Sequence, residues 1–106
     1  MLVSEVMAQQ TQVARVVPAY GRFLASFPTP AACAAAQLGD VLRAWEGLGY
    51  NRRARNLHRA AEAIVERHNG EVPCTLGDLL ALPGIGAYTA RAVLVPQTYG
   101  IARTWS

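Results

Sequence analysis

Apolar residues recur every three or four positions along most of the chain, and alternation of β-branched with polar residues over four to eight positions is absent. The clearest helical pattern runs from about Asn51 to His68. Its apolar stripe consists of Ala54, Leu57, Ala61, Ile64 and Val65, and Asn69 and Gly70 follow as a typical C-terminal stop. The pattern therefore predicts an all-α protein.

Shorter segments with the same periodicity predict six further helices. They lie at about 3–10, about 12–26, an alanine-rich stretch beginning at Pro30, 38–45, about 75–81 and about 87–95. Thr11, Thr29 and Thr75 each precede such a segment and are predicted N-caps. Pro18 lies within the second segment and is expected to kink it. We find no repeat, low-complexity tract or domain linker in the sequence.

Composition places these helices in one small domain. The chain has 106 residues, 52% of them apolar and 16% charged, which is enough to bury a core. No apolar run approaches the roughly 18 residues that a membrane-spanning helix needs. The N-terminus has no secretory signal pattern, so we expect a cytoplasmic protein. Cys33 and Cys74 lack metal-ligand spacing and are predicted to be inert thiols.

All of the strongly basic charge comes from arginine. Ten arginines, no lysine and seven acidic residues give a net charge of +3. The excess favours an anionic partner, although arginine-rich usage also follows from genome base composition.

The segment Leu82 to Gly86 (LPGIG) predicts a tight turn between two short helices. Gly84 and Gly86 can both adopt positive φ or allow another backbone to approach closely. Amides at the N-terminus of the following helix would then be free to bind a phosphate oxygen. The alternative is a helical hairpin that only closes a bundle.

A second glycine-rich turn, at residues 47–49, precedes the long helix. At 100° per residue, Arg52, Arg55 and Arg59 lie opposite the apolar stripe and form a solvent face. Arginine in the first turns opposes the helix dipole, which indicates that an anion docks there. A solvated ion pair between Arg59 and Glu62 is the alternative interpretation.

Three strings together resemble one family: Ser4 to Val13 (SEVMAQQTQV), Trp45 to Leu57 (WEGLGYNRRARNL) and Leu82 to Ala90 (LPGIGAYTA). In order and spacing they are similar to the A/G-specific adenine DNA glycosylases of base excision repair, within the helix-hairpin-helix glycosylase superfamily. The resemblance implies a six-helix barrel domain at residues 1–95, with the helix-hairpin-helix at about 75–95, followed by a divergent tail at 96–106.

The resemblance assigns the chemistry to Glu5. It matches the glutamate that protonates the adenine leaving group after adenine is flipped out of a mispair with 8-oxoguanine or guanine. Burial of Glu5 in an apolar cleft would keep its carboxyl protonated. A lone glutamate in such a helix is otherwise most often a surface residue.

DNA-binding roles are implied at eight further positions. Gln10 and Tyr50 match residues that wedge into the duplex, Leu48 lies beside the tyrosine and Arg52 follows it. Gly84 and Gly86 match the phosphate-binding hairpin, followed by Tyr88 and Thr89. Bifunctional glycosylases of the endonuclease III type carry their Schiff-base lysine at the position of Tyr88, so the resemblance implies a monofunctional enzyme.

The chain also departs from the family. It lacks the preceding N-terminal helix, the aspartate segment and the four cysteines of the iron–sulfur half. No cofactor is therefore expected on these residues, and a 4Fe–4S cluster belongs only to full-length members. Double-stranded DNA with an A:8-oxoguanine or A:G mispair is the expected partner of a monomer at a bacterial nucleoid. The alternatives are a catalytically dead DNA-binding fragment, an endonuclease III-type pyrimidine glycosylase and a helical module without a nucleic-acid role.

Overall fold

The computed structural model describes residues 1–98 and 105–106, with side chains described for 1–94 and 105–106. Its seven helices are α1 (Leu2–Ala8), α2 (Val13–Ser26), α3 (Pro30–Ala35), α4 (Leu38–Ala44), α5 (Arg52–His68), α6 (Leu76–Leu80) and α7 (Ala87–Thr98). The described residues contain no strand, so the prediction of an all-α protein is confirmed. None of the helices in this part of the chain is long and apolar enough to cross a membrane.

Two of the three predicted caps are confirmed. The hydroxyls of Thr29 and Thr75 accept hydrogen bonds from the amides of Ala32, at 3.1 Å, and Asp78, at 3.2 Å. Thr11 was expected to cap α2, and that prediction is wrong. The helix begins one residue later, with Gln12 as the N-cap and no side-chain cap bond, and the Thr11 hydroxyl accepts from Arg53 instead.

Pro18 lies inside α2 and on its exposed side, and the helix continues through it from Val13 to Ser26. The predicted ends of the helices differ by one or two residues from those observed, except that α7 continues to Thr98.

The long helix α5 packs against α1, α3 and α4 and provides the centre of the core. Ala54, Leu57, Ala61 and Ile64 are at most 1% exposed, as the stripe predicts. Val65 was predicted to belong to this stripe, but it is 40% exposed because it lies one step further around the helix than Ile64.

Aromatic side chains extend this core from Phe23 and Trp45 to Trp105. Phe23 meets Trp45 edge to face, with ring centroids 6.0 Å apart. Trp105 is 5% exposed and donates from Nε1 to the carbonyl of Phe27 at 2.9 Å. Its own carbonyl accepts from the amide of Val3 at 2.8 Å. The predicted tail at 96–106 therefore includes a buried residue, Trp105, while 99–104 lie outside the described residues.

Candidate nucleic-acid interface

Three separate segments surround one cavity of about 830 Å³: the end of α1, the start of α5, and the turn between α6 and α7. Its lining consists of Val6, Gln9, Gln10, Tyr50, Asn51, Arg52, Arg53, Asn56, Leu57 and residues 83–89. Seven of the nine residues named from the sequence are among them: Gln10, Tyr50, Arg52, Gly84, Gly86, Tyr88 and Thr89. Glu5 and Leu48 are not.

Gln10 and Tyr50 share an unusual backbone conformation on the edge of this cavity. Their φ angles are +58° and +51°, in the left-handed region that side chains other than glycine rarely adopt. Both side chains are exposed, and that of Tyr50 is 64% exposed. Asn69 has a similar φ, which its position as the C-cap of α5 explains. Gln10 follows Gln9, the C-cap of α1, and Tyr50 precedes Asn51, the N-cap of α5, so neither is itself a cap residue. Local strain of this kind is common at functional sites.

Arg53 holds the segments that carry these two residues. Its Nη1 donates to the carbonyls of Val6 at 3.0 Å and Met7 at 2.8 Å, and also to that of Gln9. These carbonyls belong to the C-terminal end of α1, where a helix leaves acceptors unpaired and where the dipole favours a cation. An arginine that opposes the dipole of its own helix thus stabilises the end of another.

The second nitrogen of the same guanidinium binds the next two segments. Nη2 donates to Oγ1 of Thr11 at 2.7 Å and to the carbonyls of Leu48 and Gly49, each at 3.3 Å. The guanidinium carbon lies 5.4 Å from the ring centre of Trp45 and 5.8 Å from that of Tyr50. Burial lowers the pKa of Arg53 below its usual value, and the nearby Tyr50 acts in the opposite direction.

Two arginines of α2 complete the binding of the turn before α5. Arg22 donates to the carbonyl of Glu46 at 2.8 Å, and Arg15 donates to that of Gly47. With Arg53 on Leu48 and Gly49, four successive carbonyls each accept a hydrogen bond from an arginine. Among the described residues, three arginines therefore bind the protein's own backbone.

Sequence reasoning did not single out Arg53, although the sequence carries a usable signal. Positions 53, 57, 60 and 64 share one face of a helix, and Leu57, Ala60 and Ile64 on that face are at most 1% exposed. An arginine on a buried face needs hydrogen-bond acceptors from the protein, so the position of Arg53 on this face is the signal that indicates a structural role.

The turn between α6 and α7 is held by close packing. Gly84 has a φ of +76°, and a Cβ placed there would lie 2.6 Å from Cβ of Asn56 on α5. Gly86 differs from what the sequence led us to expect: its φ is outside the left-handed region, and a Cβ would meet nothing within 4 Å. Gly84 is thus required by the fold, whereas the fold leaves the space in front of Gly86 open.

The next two residues of α7 point in different directions. Tyr88 is 81% exposed, whereas Thr89 is 2% exposed and accepts a hydrogen bond from Nε2 of Gln9 at 2.6 Å. The side chain of Thr89, predicted to bind DNA, therefore joins α7 to the end of α1 beside Gln10.

Leu48 and Glu5 also lie differently from the simplest expectation. Leu48 is 2% exposed, so its side chain belongs to the core, and only its backbone takes part in the turn, with its amide donating to the carbonyl of Trp45 at 3.1 Å and its carbonyl accepting from Arg53. Glu5 is partly buried on α1, one residue before the cavity residue Val6. Burial lowers the pKa of the Met1 amino group to about 6, and the Glu5 carboxylate acts in the opposite direction. Glu5 is therefore next to a cavity residue in sequence but is not itself part of the cavity lining.

The solvent face of α5 is confirmed, since Arg52, Arg55 and Arg59 are all exposed. Glu62 makes its ion contact with Nδ1 of His58, at 3.7 Å, and not with Arg59. The alternative interpretation of this face as an Arg59–Glu62 pair is therefore wrong, and its positive charge is not neutralised by that acid.

The two cysteines do not fit an iron–sulfur cluster. Cys33 is buried in the core and Cys74 is exposed, and burial raises the pKa of the Cys33 thiol to about 12. Within residues 1–98 and 105–106 no group of three His, Cys, Asp or Glu side chains is placed to hold a metal ion.

Comparison with known proteins explains the combination of a glycine hairpin with this cavity. The family model described as HhH-GPD superfamily base excision DNA repair protein matches residues 3–103. The chain belongs to this superfamily. An adenine DNA glycosylase of Mycobacterium tuberculosis is 52% identical over 92 residues, which are 87% of this chain and 30% of the relative. One from Rattus norvegicus is 48% identical over 86% of this chain and 18% of its own length.

Solved structures agree with these HhH-GPD relatives. An endonuclease III in a non-covalent complex with DNA superposes with a TM-score of 0.82 at 30% identity, covering 93% of this chain and 46% of that one. A thermostable thymine-DNA glycosylase gives a TM-score of 0.83 at 25% identity, over 94% and 46% of the two chains. The chain thus spans about 30% of the mycobacterial relative and 46% of the endonuclease III chain.

Proposed function

We propose that this chain forms the duplex-engaging part of an adenine DNA glycosylase acting on adenine opposite 8-oxoguanine or guanine. The observation that carries the proposal is the pair Gln10 and Tyr50, two exposed side chains on left-handed backbone at the edge of one cavity. The name shared by the mycobacterial and rat relatives supports adenine as the base.

The exposed ring of Tyr50 would enter the duplex at the mispair. A base that leaves the stack creates a gap, and an aromatic ring that fills it replaces part of the lost stacking. Gln10 carries an amide that both donates and accepts, so it can bind the edge of the base left behind. The cavity between them is where the displaced nucleotide would be received.

The α6–α7 turn would hold the phosphate backbone. A Cβ at Gly86 meets no protein atom within 4 Å, so a phosphate can approach the amides that begin α7. The exposed Tyr88 and Arg52 of the solvent face of α5 line the same cavity as Gly86. Binding of this kind grips the backbone without reading sequence.

Glu5 would act as the general acid in this mechanism. It donates a proton to the adenine leaving group as the bond between adenine and C1′ of the deoxyribose breaks, and water then attacks C1′ to leave an abasic sugar. Tyr88 stands where a lyase would need an amine, and a phenol forms no imine. The reaction is therefore a hydrolysis without strand cleavage, carried out on DNA at the nucleoid.

Release of adenine from a duplex with one A:8-oxoguanine pair tests this function. Glu5→Gln should abolish release, whereas duplex affinity stays within about threefold because the amide keeps the shape of the side chain. Glu71→Gln, which changes an exposed acid outside the cavity lining, should release adenine like the unmodified chain. Equal release by Glu5→Gln and the unmodified protein would exclude Glu5 as the acid.

Duplex binding without catalysis is the second candidate, and the position of Glu5 outside the cavity lining favours it. In that case the unmodified chain binds duplex with an affinity that falls steeply as salt rises, yet releases no adenine. Absence of any salt-dependent binding would contradict both candidates and leave a helical module without a nucleic-acid role.

The hairpin contact has its own test. Gly86→Ala should weaken duplex binding by about tenfold, because a methyl group there stands in the path of the phosphate. Gly39→Ala adds the same methyl group on exposed α4, away from the cavity, and should not change affinity. Equal affinities for the two variants would argue against phosphate binding at this turn.

A further inference from the structure

We propose that Arg53 is a positioning residue that makes Gln10 and Tyr50 act as one unit. The inference rests on the proposed function, in which these two side chains enter the duplex. It concerns a residue of the cavity lining whose guanidinium is bound by acceptors of the chain itself, and it follows from the hydrogen bonds around that guanidinium.

The guanidinium binds the chain on both sides of Gln10. The preceding carbonyl of Gln9 accepts from Nη1, and the following Oγ1 of Thr11 accepts from Nη2 at 2.7 Å. The same Nη2 binds the carbonyl of Gly49, which belongs to the peptide unit of the Tyr50 amide, at 3.3 Å. One planar group thus fixes the distance between two segments that lie about 40 positions apart in sequence.

Only arginine offers this geometry. Its guanidinium has five N–H donors in a rigid plane, whereas lysine has one nitrogen on a flexible stem. The plane is itself oriented by the buried ring of Trp45, whose centre lies 5.4 Å from the guanidinium carbon. Lysine at this position would keep the charge but lose the simultaneous reach to Gln9, Thr11 and Gly49.

The left-handed backbone at Gln10 and Tyr50 explains why these two segments need the hydrogen bonds from Arg53. Each residue would relax to an ordinary conformation if its segment were released, because contact of the Cβ with the following carbonyl oxygen disfavours the left-handed conformation. Arg53 holds both segments at once, so relaxation of one disturbs the hydrogen bonds that hold the other. The two wedge residues are then preorganised together before DNA arrives.

A thermodynamic cycle on duplex binding tests the coupling. The probe is a duplex with 2-aminopurine opposite 8-oxoguanine, whose fluorescence rises when the base leaves the stack. In the unmodified background, Gln10→Ala and Tyr50→Ala should be non-additive by about fivefold in the unstacking equilibrium. In an Arg53→Lys background the same two changes should be additive to within twofold. Persistent non-additivity in that background would overturn the inference.

A second measurement needs no DNA and guards against simple unfolding of Arg53→Lys. Thr11→Val removes one acceptor of the guanidinium, together with the longer 3.5 Å bond from the same hydroxyl to the Leu48 carbonyl, while keeping the side-chain shape. Thr11→Ser keeps the hydroxyl and both bonds. Backbone amide relaxation should show increased mobility at both Gln10 and Tyr50 in Thr11→Val and none in Thr11→Ser. Asn69, left-handed but without contact to Arg53, should be unchanged in both. A response confined to Gln10 would show that the two residues move independently and would refute the proposal.

Failure of the proposed function gives a different result. If the unmodified chain causes no rise in 2-aminopurine fluorescence, the wedge role is excluded, while the joint response of Gln10 and Tyr50 to Thr11→Val still decides whether Arg53 couples them. Arg67→Lys, the same change at an exposed site near the end of α5, should leave both measurements unaltered.

Discussion

The two turns that border the cavity are held in place by opposite means. The turn at residues 46–49 is fixed by hydrogen bonds from three arginines to four successive carbonyls. The turn at residues 82–86 is fixed by contact, with the backbone of Gly84 lying directly on the side chain of Asn56. The first arrangement depends on charge and donor geometry, and the second depends on the absence of one carbon atom.

Helix α5 contributes to both turns from one of its own helical turns, while Arg15 and Arg22 of α2 bind the rest of the 46–49 turn. Arg53 and Asn56 are three positions apart and therefore lie on the same side of the helix. A displacement of this helical turn would move both borders of the cavity together. The comparison shows that one helix can help to position two separate loops. The long side chain of Arg53 reaches the 46–49 turn, whereas the 82–86 turn packs directly on Asn56 through its own Gly84.

Loss of the polar anchor should have the largest effect. Arg53→Ala leaves the α1 carbonyls and the 48–49 carbonyls without their charged donor, and we expect the free energy of unfolding to fall by about 4 kcal/mol. Urea denaturation followed by circular dichroism measures this. Arg55→Ala, on the exposed side of the same helix, should change stability by less than about 0.5 kcal/mol. Similar losses in the two variants would mean that the Arg53 bonds contribute little to the fold.

The steric anchor should come second. Gly84→Ala combines a strained φ with a 2.6 Å clash, so a loss of about 3 kcal/mol is expected. Gly49→Ala provides a matched control, since its φ of +71° brings the same strain with nothing within 4 Å. It should lose only about 1 kcal/mol. If both variants lose the same amount, close approach to α5 does not hold the hairpin.

Removing the Asn56 side chain from α5 should restore part of the stability lost in Gly84→Ala. Asn56→Gly removes the Cβ that a residue at 84 would meet, so the double variant with Gly84→Ala should be about 1 kcal/mol more stable than the sum of the two single effects. Asn56→Ala keeps that Cβ and should give no such recovery. Recovery by both would place the conflict at the amide of Asn56 instead.

Gly86→Ala should have the smallest effect on stability, below about 1 kcal/mol, because the added methyl group projects into open space. Two-state denaturation of Gly86→Ala beside Gly84→Ala therefore separates a glycine required by the fold from one that leaves an approach open. A loss for Gly86→Ala as large as that for Gly84→Ala would remove this distinction.

The helices were predictable because each carries its own periodicity and several carry their own caps, as Thr29 and Thr75 show. The grouping of Gln10, Tyr50 and the hairpin glycines around one cavity is a tertiary result, to which only the family resemblance pointed beforehand. Val65 was misplaced because its burial depended on a small difference in angle around α5.

The roles of Arg53 and Thr89 could not be read from residue type. An arginine among arginines suggests a solvent face, and a threonine beside a glycine hairpin suggests a DNA contact. Both roles depend on the position of the C-terminal end of α1. This end supplies the carbonyls that bind Arg53 and the side-chain amide of Gln9, from which the Thr89 hydroxyl accepts a hydrogen bond. That position depends on packing across the whole domain.

The contact between Val3 and Trp105 joins α1 to a distant part of the chain. The first helix is tied to residues about 80 and 100 positions later, through Gln9 with Thr89 and through the amide of Val3 with the carbonyl of Trp105. Closing the longer of these loops opposes folding by about 4 kcal/mol of chain entropy. During synthesis, these contacts of α1 can form only after Thr89 and Trp105 have been made. Glu5 and Gln10, on and beside α1, therefore depend for their final positions on segments that follow them by most of the domain.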